Sequence, residues 1–110
     1  MKININGKEY QFEMTGWWGP QYKFEEIMQV GEHPERKFNP ILTFHLHVMY
    51  YCILMCDNES LDLTLDEFLA ALNDMKLVKE LNQFYTQRCK ILTQSIGTEE
   101  KPAKKSKKKS

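Results

Sequence analysis

The sequence has little of what most enzymes and membrane proteins need. Its five glycines form no phosphate-cradling pattern of the G-x-G-x-x-G or P-loop type. Ser60, Ser95, Ser106 and Ser110 fall in connections, near a helix end or in the terminal tail, and none sits in a nucleophile elbow. Glu25 and Glu26 are adjacent, so on a helix they face different directions and make no acid/base pair. The longest apolar stretch, Ile41 to Cys56, has 16 residues, includes Thr43, His45 and His47, and falls short of the roughly 20 needed to span a bilayer. No apolar run follows Lys2, so no secretory signal is expected. The three cysteines, Cys52, Cys56 and Cys89, are an odd number inside or beside apolar helical patterns, which suits free thiols in a reducing cytoplasm. Neither catalysis nor membrane insertion is expected, and no cofactor is implied.

Charge of one sign is also missing overall, because the 110 residues carry 15 Lys plus Arg against 15 Asp plus Glu. The balance hides a partition. Residues 1–98 hold 9 basic and 13 acidic side chains, a net of −4, whereas residues 99–110 hold 6 basic and 2 acidic, a net of +4. A broadly basic nucleic-acid-binding body is therefore excluded. The tail lysines Lys101, Lys104, Lys105, Lys107, Lys108 and Lys109 could touch phosphates without selectivity, yet they have no aromatic neighbour for base stacking. With no aliphatic residue larger than alanine, that tail is expected to be disordered.

What is present reads as a hairpin followed by helices. Lys2 to Asn6 and Glu9 to Met14 alternate in polarity around Asn6-Gly7, a dipeptide suited to a tight hairpin turn. An isolated hairpin is marginal, so helices are predicted to cover Ile3, Ile5, Tyr10 and Phe12. Thr15 to Gln21, with Gly16, Gly19 and Pro20, reads as a loop leading into a two-turn helix over Tyr22 to Met28. Gly31 to Pro40 breaks all periodicity. Ile41 to Cys56 is apolar on most sides, which places it at the centre of a bundle or in an oligomer interface. Thr64 and Glu67 form a capping box, with Leu63 placed to staple onto Phe68. Asp74 either ends that helix or caps the next, which runs from Met75 to Ile96, with Gly97 placed as the residue just past its end. The expected architecture is a mainly α (α+β) fold: one domain over 1–97, an N-terminal β-hairpin on about four helices, and a disordered lysine-rich tail over 98–110.

Two ligand-like groupings have plainer explanations. His33, His45, His47, Cys52, Cys56 and Cys89 include soft ligands, but no Cys-x2-Cys or H-E-x-x-H spacing, so no metal site is expected. Asp57 to Asp62 resembles a calcium loop in composition only, because its sixth position is Asp62 where the sharp turn needs glycine.

The stronger signal is apolar surface. Adjacent Trp17 and Trp18 cannot easily both be buried in so small a body, although one of them capping the open end of the core is the plainer alternative. Residues expected to form partner-binding surfaces are Trp17, Trp18, Tyr22, Phe44, Val48, Tyr51 and Met55, with Leu81, Phe84 and Tyr85 as alternatives.

The order of these pieces carries a resemblance. An opening I-x-I-N-G-K-x-Y-x-F (Ile3 to Phe12), a short Tyr22 to Ile27 helix, an apolar middle helix and L-T-L-D-E-F-L-x-x-L (Leu63 to Leu72) resemble the tail assembly chaperones of long-tailed bacteriophages over residues 1–85. The resemblance implies a non-enzymatic factor in the host cytoplasm. It would coat the long helical tape-measure protein, self-associate, and in some extended forms recruit the tail-tube protein. It also implies that Tyr10, Phe12, Phe24, Ile27, Leu65, Phe68, Leu69 and Leu72 determine the fold. The chain departs from the simplest members at Trp17-Trp18-Gly19-Pro20 and in its basic terminus. The competing expectations are a small nucleic-acid-associated or regulatory protein using its tail, and a structural virion subunit.

Overall fold

Asn6 and Gly7 both take positive φ, 55° and 80°, which is the backbone twist that a two-residue hairpin turn requires. They join β1 (Lys2–Ile5) to antiparallel β2 (Lys8–Gln11), with Ile3 opposite Tyr10 and Ile5 opposite Lys8. The pairing extends one step beyond the strands, because the Phe12 amide donates to the Met1 carbonyl at 2.8 Å. Met14, at φ 51°, then ends the extended run that was expected to reach it. Strand alternation puts Ile3, Ile5, Tyr10 and Phe12 on one buried face, as predicted. The computed structural model describes the backbone of residues 1–100 and the side chains of residues 1–93.

Four helices cover that face. The first, α1 (Trp18–Met28), begins four residues earlier than its periodicity suggests. Pro20 is tolerated there because a first-turn amide has no intrahelical partner to lose. Gly19 lets α1 approach closely: a Cβ at that position would lie 3.3 Å from Cys56 Sγ. Gln29, at φ 57°, ends the helix. The segment that follows is anchored, with Phe38 edge-on to Phe24 at 5.2 Å and Arg36 donating to the Met28 carbonyl.

Next, α2 (Thr43–Asp57) buries Val48, Met49, Tyr50, Cys52, Ile53 and Leu54 and forms the centre of the molecule. Its neighbours are α1, β2 and α3 (Leu65–Ala71). Thr64 and Glu67 complete the capping box in both directions, at 3.1 and 2.9 Å. The last helix, α4 (Met75–Glu100), starts at Asp74, whose Oδ1 accepts the Lys76 and Leu77 amides. It packs through large rings, with Tyr85 against Tyr50 at 5.3 Å and Phe84 against Phe12 at 5.8 Å. It also passes through Gly97 to Glu100, so Gly97 is not the stop that was predicted. A helical glycine costs only about 1 kcal/mol and ends a helix only where the chain turns left-handed. No helix among the described residues is long and apolar enough to cross a membrane.

Candidate functional site

Residues 72–74 are the whole connection between α3 and α4, and they bring the start of α4 beside the N-terminal half of α2. On α2, Thr43, Leu46 and His47 fall at i, i+3 and i+4 and so share a face. Met75, Val78, Lys79 and Asn82 form the facing side on α4. Between them, over Leu72, lies an open groove of about 850 Å³. Leu46, Leu72 and Val78 supply an apolar floor, and all three pack on or within the core. Met75 stands at the edge with 84% of its surface exposed. Lys76 and Lys79 are the charged residues of the lining, and no carboxylate is among the residues that form it.

Polar groups at the groove are held from beneath. Tyr50 is fully buried, and its hydroxyl donates to Asn82 Oδ1. Burial pushes that hydroxyl far above the ordinary phenol range. The His47 ring stacks on Tyr50 at 6.0 Å, and burial lowers its pKa from the ordinary 6.5. At neutral pH the imidazole is therefore uncharged, and the lysines are the cations of the lining.

The start of α2 also carries exposed apolar residues. Helix α2 begins at Leu42 without a side-chain cap, and Ile41, Leu42 and Phe44 are 87%, 48% and 51% exposed. A second apolar patch lies on α1, where Trp18 and Tyr22 are one helical turn apart and stack with ring centroids 6.5 Å apart.

The expected partner-binding residues divide accordingly. Trp18, Tyr22 and Phe44 are exposed. Trp17, its neighbour, is half-buried and closes a small internal space with Met14, Pro20, Met49 and Tyr85, so this indole caps the core. Val48, Leu81 and Tyr85 were expected at a surface and are instead buried. The reason is helical phase: Leu77, Leu81 and Tyr85 form the i, i+4, i+8 stripe that attaches α4, and Val48 lies within the core of α2. Tyr51 is half-buried and turned inward, its ring near Phe68 at 5.8 Å and its hydroxyl donating to the Leu63 carbonyl. Met55 and Phe84 are half-buried. Lys101, Lys104, Lys105, Lys107, Lys108 and Lys109 lie outside the described residues.

Residues that sequence reasoning missed include Ile41, Leu42, Leu46, Leu72, Met75, Lys76, Val78 and Lys79. One signal was available: Leu42 precedes the helix with no capping side chain, which leaves an apolar start unsupported.

The polar groupings weighed in the sequence do other work. Asp57 Oδ2 accepts the Glu13 and Met14 amides at 2.7 and 3.1 Å. Asp62 accepts the Tyr10 hydroxyl and pairs with Lys8, which holds its carboxyl below the ordinary range. These acids fasten the hairpin to α2 and the connection after it. His45 Nδ1 accepts the Asn39 amide at 3.1 Å. Burial pushes the Cys52 thiol up to about 12 and also raises Cys56 and Cys89, so all three stay protonated at neutral pH. Among the described residues, no three His, Cys, Asp or Glu side chains converge. No family model, no curated protein and no solved structure matches the chain.

Proposed function

We propose that this chain is a non-enzymatic assembly chaperone that holds a helical segment of a long tape-measure protein in the groove between α2 and α4. The observation that carries the reading is the groove itself, with an apolar floor between two helices, one of which also carries exposed Ile41, Leu42 and Phe44 at its start. Such a surface suits the helix-in-groove mode, in which client side chains at i, i+3 or i+4, and i+7 enter an apolar cleft. A long amphipathic helix waiting for its partner exposes an apolar stripe, and covering that stripe keeps it soluble. The resemblance of Ile3 to Phe12 and Leu63 to Leu72 to phage tail assembly chaperones supplies the identity of the client. Self-association through Trp18 and Tyr22, a second contact with the tail-tube protein, and action in the host cytoplasm belong to the same reading.

Co-expression with a phage tape-measure protein tests the proposal. Co-purification should survive about 0.5 M salt, because burial of apolar surface is not screened, and it should be lost in Met75→Asp, which changes an exposed side chain. Retention on DNA instead, abolished by salt and by deleting residues 99–110, would overturn it.

A further inference from the structure

We infer that the α2–α4 groove selects its client by charge, taking a helix whose apolar stripe is flanked by carboxylates. This rests on the reading of the groove as a helix-binding site. Residues 1–98 carry 9 basic and 13 acidic side chains, a net of −4, yet the groove is lined by Lys76 and Lys79 and by no acid. Both lysines are free of ion pairs among the described residues, where Met1 pairs with Glu13, Lys2 with Glu9, Lys8 with Asp62 and His33 with Glu35. Lys76 and Lys79 are three positions apart on α4, about 4.5 Å along its axis. Client carboxylates at i and i+3 or i+4 match that spacing.

Charge also discriminates among occupants. Lys104, Lys105 and Lys107 to Lys109 of the chain's own terminus have the same sign as Lys76 and Lys79 and so offer no charge complement to the groove. The groove is open along one side and leaves its occupant partly in water, which suits a helix with a polar back better than an acyl chain. A second copy could offer Trp18 and Tyr22 beside Glu25 and Glu26, and the experiment separates that case from a foreign helix.

The test uses the full chain and two labelled synthetic helices of about 18 residues. They share one leucine stripe and differ only in flanking Glu or Lys. In fluorescence anisotropy, the Glu-flanked helix should bind about tenfold more tightly at about 50 mM salt, and the ratio should approach one at about 0.5 M. The double variant Lys76→Glu/Lys79→Glu changes surface residues and should reverse the preference while circular dichroism stays unchanged. Equal binding of both helices, lost in Met75→Asp, would overturn charge selection and leave the groove reading standing. Binding of neither helix would overturn both. A Glu preference that persists in the double variant would overturn the assignment to Lys76 and Lys79. Altered sedimentation of that variant without peptide would give the groove to a second copy and overturn the proposal.

Discussion

Asn58 and Gln11 exchange two hydrogen bonds: the Gln11 amide donates to Asn58 Oδ1 at 3.0 Å, and Asn58 Nδ2 donates to the Gln11 carbonyl at 2.9 Å. Gln11 sits opposite Lys2, while the neighbouring Phe12 amide bonds across the hairpin to Met1. In an antiparallel ladder this alternation turns the backbone groups of Gln11 outward, away from β1. The carboxamide of Asn58 offers one donor and one acceptor, as a neighbouring strand would, and closes the open edge of β2. Asp57 continues the pattern by accepting the next outward amide, that of Glu13.

Asn58→Ala should therefore destabilise the fold by about 2 kcal/mol, since it removes two strand-edge hydrogen bonds and leaves their partners half-covered. Asn58→Asp should be at least as harmful, because it keeps an acceptor for the Gln11 amide but sets a carboxylate against the Gln11 carbonyl. Urea unfolding of the three proteins measures this. Midpoints that coincide within error would show that the clasp contributes nothing.

The two indoles should respond differently to substitution. Trp17→Ser removes a side chain packed on the core and should cost about 2–3 kcal/mol, less than a fully buried tryptophan. Trp18, 60% exposed, should tolerate serine within about 0.5 kcal/mol. Thermal melts separate the two, and equal losses in both variants would contradict the packing of Trp17 on the core.

Acid should weaken the fold through His47. Burial holds its folded-state pKa below the ordinary 6.5, so between the two values the unfolded chain binds a proton that the folded chain does not. The contribution is fully present above 6.5, declines as pH falls through that value, and stops declining below the folded-state pKa. The difference in unfolding midpoint between wild type and His47→Gln should thus shrink from about pH 7.5 to about pH 5.5. A difference independent of pH would count against burial of the imidazole.

Thiol labelling should follow burial. Cys56 is exposed, Cys89 half-buried and Cys52 buried. An aromatic disulfide reagent should modify Cys56 first and Cys52 only at the rate of global opening, because the thiolate needs both solvent and deprotonation. Cys52 reacting as fast as Cys56 would contradict the packing of α2.

Local signals were readable wherever a few neighbouring residues decide the outcome. Asn6-Gly7 specifies its turn by backbone sterics, and Thr64 with Glu67 specifies a helix start by two reciprocal bonds. Ile3, Ile5, Tyr10 and Phe12 share a face through a period of two, so the need for a covering layer followed from pattern alone. At Trp18 to Gln21 the reading failed, because Gly19 and Pro20 suit a loop as well as a first helical turn, and the close approach of α2 at Cys56 favours the latter. Gly97 failed as a stop for a related reason: glycine permits a helix end without enforcing one.

The chain's order of hairpin and helices, its apolar centre and its split charge are properties of sequence, because they depend on periodicity, capping and counting. Which apolar residues face water was settled only in three dimensions. Val48 and Phe44 lie one turn apart on the same helix, yet Val48 meets the core and Phe44 stands half in solvent, since packed neighbours cover the middle of α2 and not its start. The groove, likewise, joins Leu46 and Val78, residues 32 positions apart whose proximity arises only when α3 turns α4 back along α2.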